Sequence, residues 1–277
     1  ELEDTLIGHH ESLTVLHYLR PELGQFALGP AEYLEQIRRI KDAVDIPVIA
    51  SLNGVTPGKW LECARQVDQA GADALELNVY RMAASPDESA DRIENLTLEM
   101  LARVKDIVNI PVAVKLSPFY TSLSHFVARL SHAGADGIVL FNQFCQPDID
   151  LENLEAVHQL TLTTSSDLLL RLHWLAILSA QTTRSLAVSG GVHSAPDALK
   201  ALVAGAHGVQ LTSEILKRGT RRFGEMLGLM TRWLEAHEYA SLAQVRGKMT
   251  LSHCADPAAY ERTEYLHILN ACSRAVG

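Results

Sequence analysis

The chain is poor in cysteine, in basic charge and in long apolar runs, and each shortage excludes a class of protein. Its 4 cysteines are scattered without a C-x-x-C pair, which predicts reduced thiols in the cytoplasm rather than a disulfide framework. No apolar run approaches the roughly 18 residues of a membrane span, and no signal peptide opens the chain. Acidic residues outnumber basic ones by 33 to 24, which disfavours binding to nucleic acid or to an anionic membrane. A small molecule is the expected partner, with a homodimer left open.

A linker is also missing. No stretch rich in Gly, Ser or Pro divides the sequence, and its 277 residues suit one α/β barrel of roughly 250 residues. We therefore predict a single domain over residues 1–277, with a C-terminal helical segment from about residue 233 that adds no strand.

Two short modules repeat along the chain. The sequence Val-Asp-Ile-Pro-Val at residues 44–48 returns as Val-Asn-Ile-Pro-Val at residues 108–112. Ala-Gly-Ala-Asp occupies residues 70–73 and 133–136, and Ala-Gly-Ala-His occupies residues 204–207. Each module follows a helical pattern and precedes a short apolar run. Such glycines suit the end of a helix, and apolar runs without alternation are typical of strands covered on both faces.

These modules predict six strands separated by helices. The strands are expected to open near Pro47, Ala74, Pro111, Gly137, Ser185 and Gly208. Helices of about 12–20 residues between them force parallel pairing. We predict a (β/α)8 TIM barrel whose first two strand–helix units are absent, because the chain opens within a helical pattern at Glu1. A six-unit doubly wound sheet is the alternative, and the polar residues 146–164 are expected to form an excursion over the barrel mouth.

Polar residues end the predicted strands, where barrels of this kind carry their function. They are Asn53, Asn78, Lys115, Asn142, Ser189, Thr212 and Ser213. The pair Gly190-Gly191 lets backbone N–H groups approach a phosphate, and the Thr212 and Ser213 hydroxyls add donors beside a helix start. The sequence therefore predicts a phosphate site at the last two strand ends. A Gly-Gly pair needed only for a tight turn is the alternative.

Lys115 stands alone among the apolar residues of its strand, where an unpaired ammonium group would lose much of its hydration energy. This predicts an anionic ligand facing Lys115, or an ion pair with Glu76 on the neighbouring strand, and the two can hold together. Strand alternation puts Glu76 and Asn78 on one inward face. The Asn78 amide can pair with the edge of a heterocycle or cap a loop.

Five ordered motifs carry a resemblance to a known family. They are Glu76-Leu77-Asn78, Val114-Lys115-Leu116-Ser117-Pro118, Asn142, Ser189-Gly190-Gly191-Val192 and Val209-Gln210-Leu211-Thr212-Ser213. In this order they resemble the dihydroorotate dehydrogenase family, and the likeness extends from Pro47 to Gly219. The resemblance implies a barrel that binds flavin mononucleotide (FMN). It also implies an oxidoreductase of pyrimidine biosynthesis, which oxidises the CH–CH bond of dihydroorotate or a related substrate by hydride transfer to the flavin.

The same resemblance implies roles for single residues. Lys115 is expected to face the pyrimidine end of the flavin and to act in catalysis, because a cation there raises the reduction potential of the ring. Asn78 and Asn142 are expected to bind flavin and substrate, and Asn53 to bind substrate. The residues expected to hold the phosphate end are Ser189, Gly190, Gly191, Thr212 and Ser213.

Two departures from the family's pattern leave other functions open. The family carries a Ser or Cys base within three residues of the strand-end Asn, whereas Asn78 is followed by Val79-Tyr80-Arg81-Met82. Tyr80 is the candidate for proton transfer, with packing against the substrate as its alternative. The family's glycine-rich loop appears here as Thr-Thr-Ser-Ser at residues 163–166. The alternatives are a flavin-binding homologue without dehydrogenase activity, and a flavin-free barrel lyase or synthase acting on a phosphate substrate.

Overall fold

Parallel strands joined by helices form the centre of the structure. A computed structural model of the chain describes residues 29–53, 57–79, 81, 83–143, 147–157 and 161–253. The strands are β1 (Ile49–Asn53), β2 (Ala74–Asn78), β3 (Val112–Leu116), β4 (Gly137–Leu140), β5 (Asp148–Asp150), β6 (Glu155–Val157), β7 (Ser185–Ser189) and β8 (Gly208–Gln210). The two short strands β5 and β6 pair with each other as an antiparallel hairpin, within the segment that the sequence predicts as an excursion.

Eight α-helices lie within the described residues. They are α1 (Pro30–Ala43), α2 (Pro57–Gln69), α3 (Ala90–Lys105), α4 (Leu123–His132), α5 (Leu168–Leu178), α6 (Ala195–Val203), α7 (Ser213–Arg218) and α8 (Arg221–Ala236). Local sequence explains several starts. The side chains of Ser89 and Ser194 accept hydrogen bonds from the first turns of α3 and α6, as serine does at a helix N-cap. None of the helices in the described residues combines the length and the apolar character needed to span a membrane.

The order of the strands is that of a barrel. A six-stranded sheet runs β1-β2-β3-β4-β7-β8, and every neighbouring pair is parallel. Each strand therefore lies beside the strand of the next strand–helix unit, whereas a doubly wound sheet reverses its order partway. This confirms the predicted (β/α)8 barrel class. Within the described residues, the ladder ends at β1 on one side and at β8 on the other.

The two faces of the strands are chemically different. Leu75 and Leu77 of β2 are fully buried within the hydrophobic core. The alternate residues Glu76 and Asn78 lie on the opposite face, because successive side chains of a strand point to opposite sides. This inward face carries polar side chains from several strands, and the candidate site is built there.

The repeated Ala-Gly-Ala-Asp module has a structural role at the N-terminal ends of the strands. The aspartates at its fourth position, Asp73 and Asp136, each bind a lysine and a backbone N–H beside the start of the previous strand. The bonds run from Lys41 Nζ to Asp73 at 2.7 Å, from Val48 N to Asp73 at 2.6 Å, from Lys105 Nζ to Asp136 at 2.7 Å and from Val112 N to Asp136 at 2.8 Å. Each aspartate therefore ties a helix and two strands together.

The third module carries His207 in place of the aspartate and keeps only part of this arrangement. The backbone N–H of Leu186 donates to His207 Nδ1 at 3.2 Å. Ser179, which precedes Leu186 by the same spacing as Lys105 precedes Val112, donates to the Ala204 carbonyl at 3.2 Å instead of forming an ion pair. Burial lowers the pKa of His207, and the charge of Arg246 lowers it further, so the neutral ring that can accept this bond is favoured.

Candidate active site

A polar cluster on the inward face joins three strands of the sheet. Lys115 Nζ donates to Glu76 Oε1 at 3.3 Å and to Gln210 Oε1 at 3.0 Å. Gln210 Nε2 donates to Glu76 Oε2 at 2.5 Å. The side chains of Lys115 and Glu76 are only 15% and 6% exposed, so the ion pair that the sequence offers for Lys115 is present. An ammonium group has three hydrogens, and these two bonds leave one for a ligand.

Two amides at the neighbouring strand ends have buried atoms without partners. Asn78 lies between Asn53 and Lys115 in the ladder, and its Nδ2 donates to Asn53 Oδ1. Asn142 lies two residues after the end of β4, and its backbone N–H donates to the Leu116 carbonyl at 2.8 Å. Asn78 Oδ1 and Asn142 Nδ2 are both buried and make no hydrogen bond. Since buried polar groups are normally paired, one unused acceptor and one unused donor here suit a ligand with a polar heterocyclic edge.

The turn after β7 depends on glycine for a reason internal to the chain. Gly190 and Gly191 have φ of +82° and +80°, a left-handed region that side chains disfavour. A Cβ atom on Gly191 would lie 2.4 Å from the backbone nitrogen of Leu168 at the start of α5. Packing of the turn against α5 therefore demands glycine at position 191 with or without a ligand, which gives the tight-turn alternative a physical basis.

A threonine bridges the turn after β7 and the start of α7. The N–H of Gly191 donates to Thr163 Oγ1 at 3.1 Å, and Thr163 Oγ1 lies 2.9 Å from Ser213 Oγ. The backbone N–H of Thr163 also donates to Ser213 Oγ, at 3.2 Å. Two of the predicted phosphate ligands are therefore held together by this threonine. Thr212, the residue before α7, is exposed and its side chain caps no helix N–H.

Behind Thr163 lies a pair formed by the half-buried His193 and the buried Glu214, which the sequence pattern did not reveal. His193 Nε2 is 3.2 Å from Thr163 Oγ1, and His193 Nδ1 is 3.1 Å from Glu214 Oε2. Arg222 donates to the other Glu214 oxygen at 2.6 Å. Burial raises the pKa of Glu214, but hydrogen bonds from Arg222 and His193 and the charges of Arg218 and Arg222 outweigh it, so this pKa lies below its ordinary value. Glu214 is therefore charged at neutral pH.

Arg171 is a second residue that sequence reasoning missed. Its guanidinium group donates to the carbonyl of Ser189 and, at 2.6 Å, to that of Asp167, and the residue is only 6% exposed. Among the described residues it forms no ion pair with a carboxylate, and burial lowers the pKa of Arg171 although Asp167 opposes the shift. Its Nη2 lies 2.9 Å from the position that a Cβ on Gly190 would take. The sequence feature that could have revealed Arg171 is its position as a lone arginine in the apolar helix α5.

The loop after β2 is described only in part. Tyr80, the candidate for proton transfer, lies outside the described residues. Its neighbour Arg81 forms an ion pair with Glu88. The positive charge of Arg81 is therefore already paired with a carboxylate.

Comparisons with known proteins agree with this geometry. The family model for dihydroorotate dehydrogenase matches residues 22–232. Relatives named dihydroorotate dehydrogenase B (NAD(+)), catalytic subunit, include that of Methanosarcina acetivorans, which is 30% identical over 80% of this chain and 71% of its own length. Proteins of the same name from Methanosarcina mazei and Pyrococcus abyssi are 29% and 28% identical, over 78% and 79% of this chain and 69% and 74% of theirs. The barrel, the inward lysine and the match along most of the chain lead to one conclusion: this chain belongs to the dihydroorotate dehydrogenase family.

Proposed function

We propose that the chain is an FMN-dependent oxidoreductase that oxidises the CH–CH bond of dihydroorotate or a closely related compound. The observation that carries this proposal is the pair of buried, unpartnered amide atoms, Asn78 Oδ1 and Asn142 Nδ2, on strand ends next to Lys115. Orphaned polar atoms inside a protein cost free energy, and a flavin or pyrimidine edge would supply both missing partners.

The ring end of the site fits the flavin. Bound FMN supplies the two-electron acceptor for the hydride that leaves the substrate. Lys115 would hold a positive charge beside the flavin ring, and this charge favours the reduced, more negative form of the ring. Glu76 and Gln210 fix the lysine ammonium group by the bonds described above. Asn78, Asn142 and Asn53 are the residues proposed to orient flavin and substrate.

The phosphate end is assigned to Ser189, Gly190, Gly191, Thr212 and Ser213. The buried guanidinium group of Arg171 beside Gly190 adds positive charge at this end, which favours a dianion. The Gly191 N–H already donates to Thr163, and the Ser213 hydroxyl accepts a hydrogen bond from Thr163. The hydroxyl hydrogen of Ser213 remains available to a phosphate, so substitution of Ser213 is the best test of this assignment.

Tyr80 is proposed as the proton acceptor, since oxidation of a CH–CH bond removes a proton as well as a hydride. A positioned base typically contributes 10²–10⁴-fold to such a step, and a tyrosine of ordinary pKa near 10 is a weak base at neutral pH. We therefore expect turnover of dihydroorotate to be slower by about 10² or more than in a relative with a Ser or Cys base, and the preferred substrate to differ.

The remaining parts of the proposal concern organisation. We propose a single domain, a cytoplasmic location and a homodimer for this chain. The relatives reported above are named catalytic subunits, a name that implies a second kind of subunit in those proteins. Sedimentation equilibrium of the purified full chain distinguishes monomer from homodimer.

The first experiment is an absorbance spectrum of the purified chain, followed by anaerobic addition of dihydroorotate. We expect the yellow absorbance of about one bound FMN per chain and its bleaching on reduction. A colourless protein that gains no FMN on reconstitution would contradict the proposal and favour the phosphate-substrate lyase or synthase. Bound flavin that no dihydropyrimidine substrate bleaches would favour a homologue without dehydrogenase activity.

The phosphate assignment needs a variant that does not disturb the turn. Gly191→Asp is unsuitable, because its Cβ would collide with the backbone at Leu168. Ser213→Asp is expected to place a carboxylate against the phosphate and to weaken FMN binding by 100-fold or more, in the range of a lost charge-assisted bond plus repulsion. Ser213→Ala is the matched control and is expected to lose about tenfold. Flavin fluorescence titration measures both, and equal affinities for all three proteins would overturn the assignment.

A further inference from the structure

Arg171 is a buried cation whose hydrogen-bond partners are neutral. It lies on α5, is 6% exposed, and donates to the carbonyl oxygens of Ser189 and Asp167. A guanidinium group has five N–H donors, and these bonds occupy two of them. Because a buried charge is unfavourable without a counter-charge, Arg171 would gain from an anion.

The carboxylates around the guanidinium group are engaged by other donors. Asp167 accepts from the Thr164 N–H at 2.7 Å and from the Thr164 hydroxyl at 3.1 Å. Asp197 accepts from two serine hydroxyl groups, both at 2.8 Å. Glu214 accepts from Arg222 at 2.6 Å. Within the part of the chain that the structure describes, these acids therefore leave the guanidinium group without an ion pair.

The guanidinium group lies directly against the turn after β7. Arg171 Nη2 is 2.9 Å, and Thr163 Cγ2 is 3.3 Å, from the position that a Cβ on Gly190 would take. Thr163 Oγ1 in turn donates to Ser213 Oγ at 2.9 Å. Arg171, Gly190, Thr163 and Ser213 are therefore contiguous, and together they are called the anion subsite below.

Most of the neutral donors of the anion subsite are used within the protein. The Gly191 N–H donates to Thr163 Oγ1, and the hydroxyl and the backbone N–H of Thr163 both donate to Ser213 Oγ. The hydroxyl hydrogen of Ser213 remains for a ligand. Hydrogen bonds from a charged donor to an anion are roughly twice as strong as those between neutral groups. Recognition of negative charge at this end of the site therefore depends on Arg171.

We propose that Arg171 makes the anion subsite selective for a phosphate monoester over the same compound without its phosphate. A phosphate monoester brings close to two negative charges at neutral pH, which compensate the buried guanidinium group. The proposal rests on the proposed function, in which this end of the site holds the FMN phosphate. Arg171 then sets the preference of the chain for FMN over riboflavin, which has the same ring and no phosphate.

The first test is flavin fluorescence titration of the full chain with FMN and with riboflavin. FMN should bind tighter by about 100-fold or more. Arg171→Gln should reduce this preference by about 10- to 100-fold, through weaker FMN binding, and leave riboflavin affinity within about twofold. Arg171→Lys keeps the charge and loses the planar fork that contacts both carbonyls, so it should retain a preference of about tenfold or more.

Arg184 offers a matched control for the loss of an arginine that bonds to the backbone. It is half-buried, immediately precedes β7 at the opposite end of the strand, and donates to the Ser131 carbonyl at 3.0 Å. Arg184→Gln removes a bond of the same kind far from the anion subsite. It should change the melting temperature without changing the preference for FMN, which separates charge recognition from a purely structural role.

The second test needs no flavin. Inorganic phosphate, compared with chloride at equal ionic strength, should raise the melting temperature of the full chain in a saturable way, because a ligand that binds the folded state stabilises it. Arg171→Gln should abolish this gain, and Arg184→Gln should keep it.

The outcomes separate this inference from the proposed flavin function. A chain that binds FMN and riboflavin equally well, or an unchanged preference in Arg171→Gln, would overturn the inference and leave flavin binding intact. Absence of saturable stabilisation by phosphate in the wild-type chain would also overturn it, whether or not the variants fold. Stabilisation by phosphate that depends on Arg171, in a chain that binds no flavin, would support the anion subsite and contradict the flavin function.

Discussion

The two ends of the strands are constructed in different ways. At the N-terminal ends one arrangement is repeated: Asp73 and Asp136 bind a lysine and a backbone N–H, and His207 binds a backbone N–H alone. At the C-terminal ends of the described strands the polar groups are more varied: asparagines stand at or after the ends of β1, β2 and β4, a lysine lies in β3, and a pair of glycines follows β7. The repeated end stabilises the fold and the varied end carries the candidate site, which is the division of roles expected in an α/β barrel.

The largest expected effect joins the two roles at Lys115. Lys115→Met removes the cation that compensates the buried carboxylate of Glu76, and loss of one partner of a buried pair typically costs about 3–5 kcal/mol of unfolding free energy. Urea unfolding of the chain measures this. Adding Glu76→Gln should recover most of the loss, because no unpaired charge remains; a single variant as stable as wild type would show that the pair does not hold the sheet together.

The same variant separates stability from chemistry at the varied end. Compared with the single variant Glu76→Gln, the double variant lacks only the cation beside the flavin, so the reduction potential of the flavin should be lower by more than about 30 mV, equivalent to roughly 1.4 kcal/mol for two electrons. Spectroscopic titration against a reference dye measures the potential. A smaller shift would mean that Lys115 serves Glu76 and not the ring.

A smaller effect is expected at the repeated end. Asp136→Asn keeps an acceptor for the Val112 N–H but loses the ion pair with Lys105, and partly exposed pairs of this kind contribute about 1 kcal/mol or less. Burial raises the pKa of Asp136, but the bonds from Lys105 and Val112 and the nearby positive charges outweigh it, so this pKa is lowered. The contribution is therefore present above the ordinary carboxyl pKa near 4 and is lost as the pH falls through the lowered value.

Unfolding measured at pH 7 and at pH 3 should show the difference between wild type and Asp136→Asn shrinking at the acid end. Asp73→Asn is the matched variant in the first module. Asp73 makes the same contacts but is more exposed, so its substitution should change stability in the same direction and by less. A larger loss for Asp73→Asn would mean that the modules are not equivalent.

The smallest expected effect distinguishes the third module from the other two. His207 has a lowered pKa, so the unfolded chain binds a proton more readily than the folded one. Stability should therefore be full above the ordinary histidine pKa near 6.5 and decline as the pH falls toward the lowered value. His207→Asp, near Arg246, should keep the bond to the Leu186 N–H and abolish this slope, whereas His207→Ala should lose about 0.5–1 kcal/mol at pH 7. Thermal melts at pH 7.5 and 5.5 measure this dependence of stability on pH. If His207→Asp showed the same dependence as the wild type, a group other than His207 would be its cause.

Sequence patterns predicted the elements because periodicity and helix-ending glycines report local physics. The six strands of the parallel sheet begin within two residues of the predicted positions, and strand alternation correctly put Glu76 on the inward face with Lys115 nearby. The order of the sheet followed from the uniform spacing of the units.

Side chains that act across large sequence separations were not predictable in this way. His193 and Glu214 are 21 residues apart and meet only because β7 and β8 are neighbours. In the sequence, Arg171 is a lone arginine in an apolar helix. No neighbouring residue indicates that its hydrogen-bond partners are backbone carbonyls. The sequence predicted glycine at position 191 because a phosphate would need close approach to the backbone. The structure gives a second reason, since a Cβ atom at this position would collide with the backbone of α5.

The peptide group of Thr163 is held on both sides, by Ser213 at its N–H and by Lys217 Nζ at its carbonyl, 3.0 Å away. Both partners belong to α7, so the loop before α5 cannot lift from the strand ends without breaking its bonds to that helix. In hydrogen exchange, the Thr163 amide should therefore exchange as slowly as the amides of α7 although it lies in a loop. A single slow amide in this loop would then report, in real time, each opening of the barrel mouth.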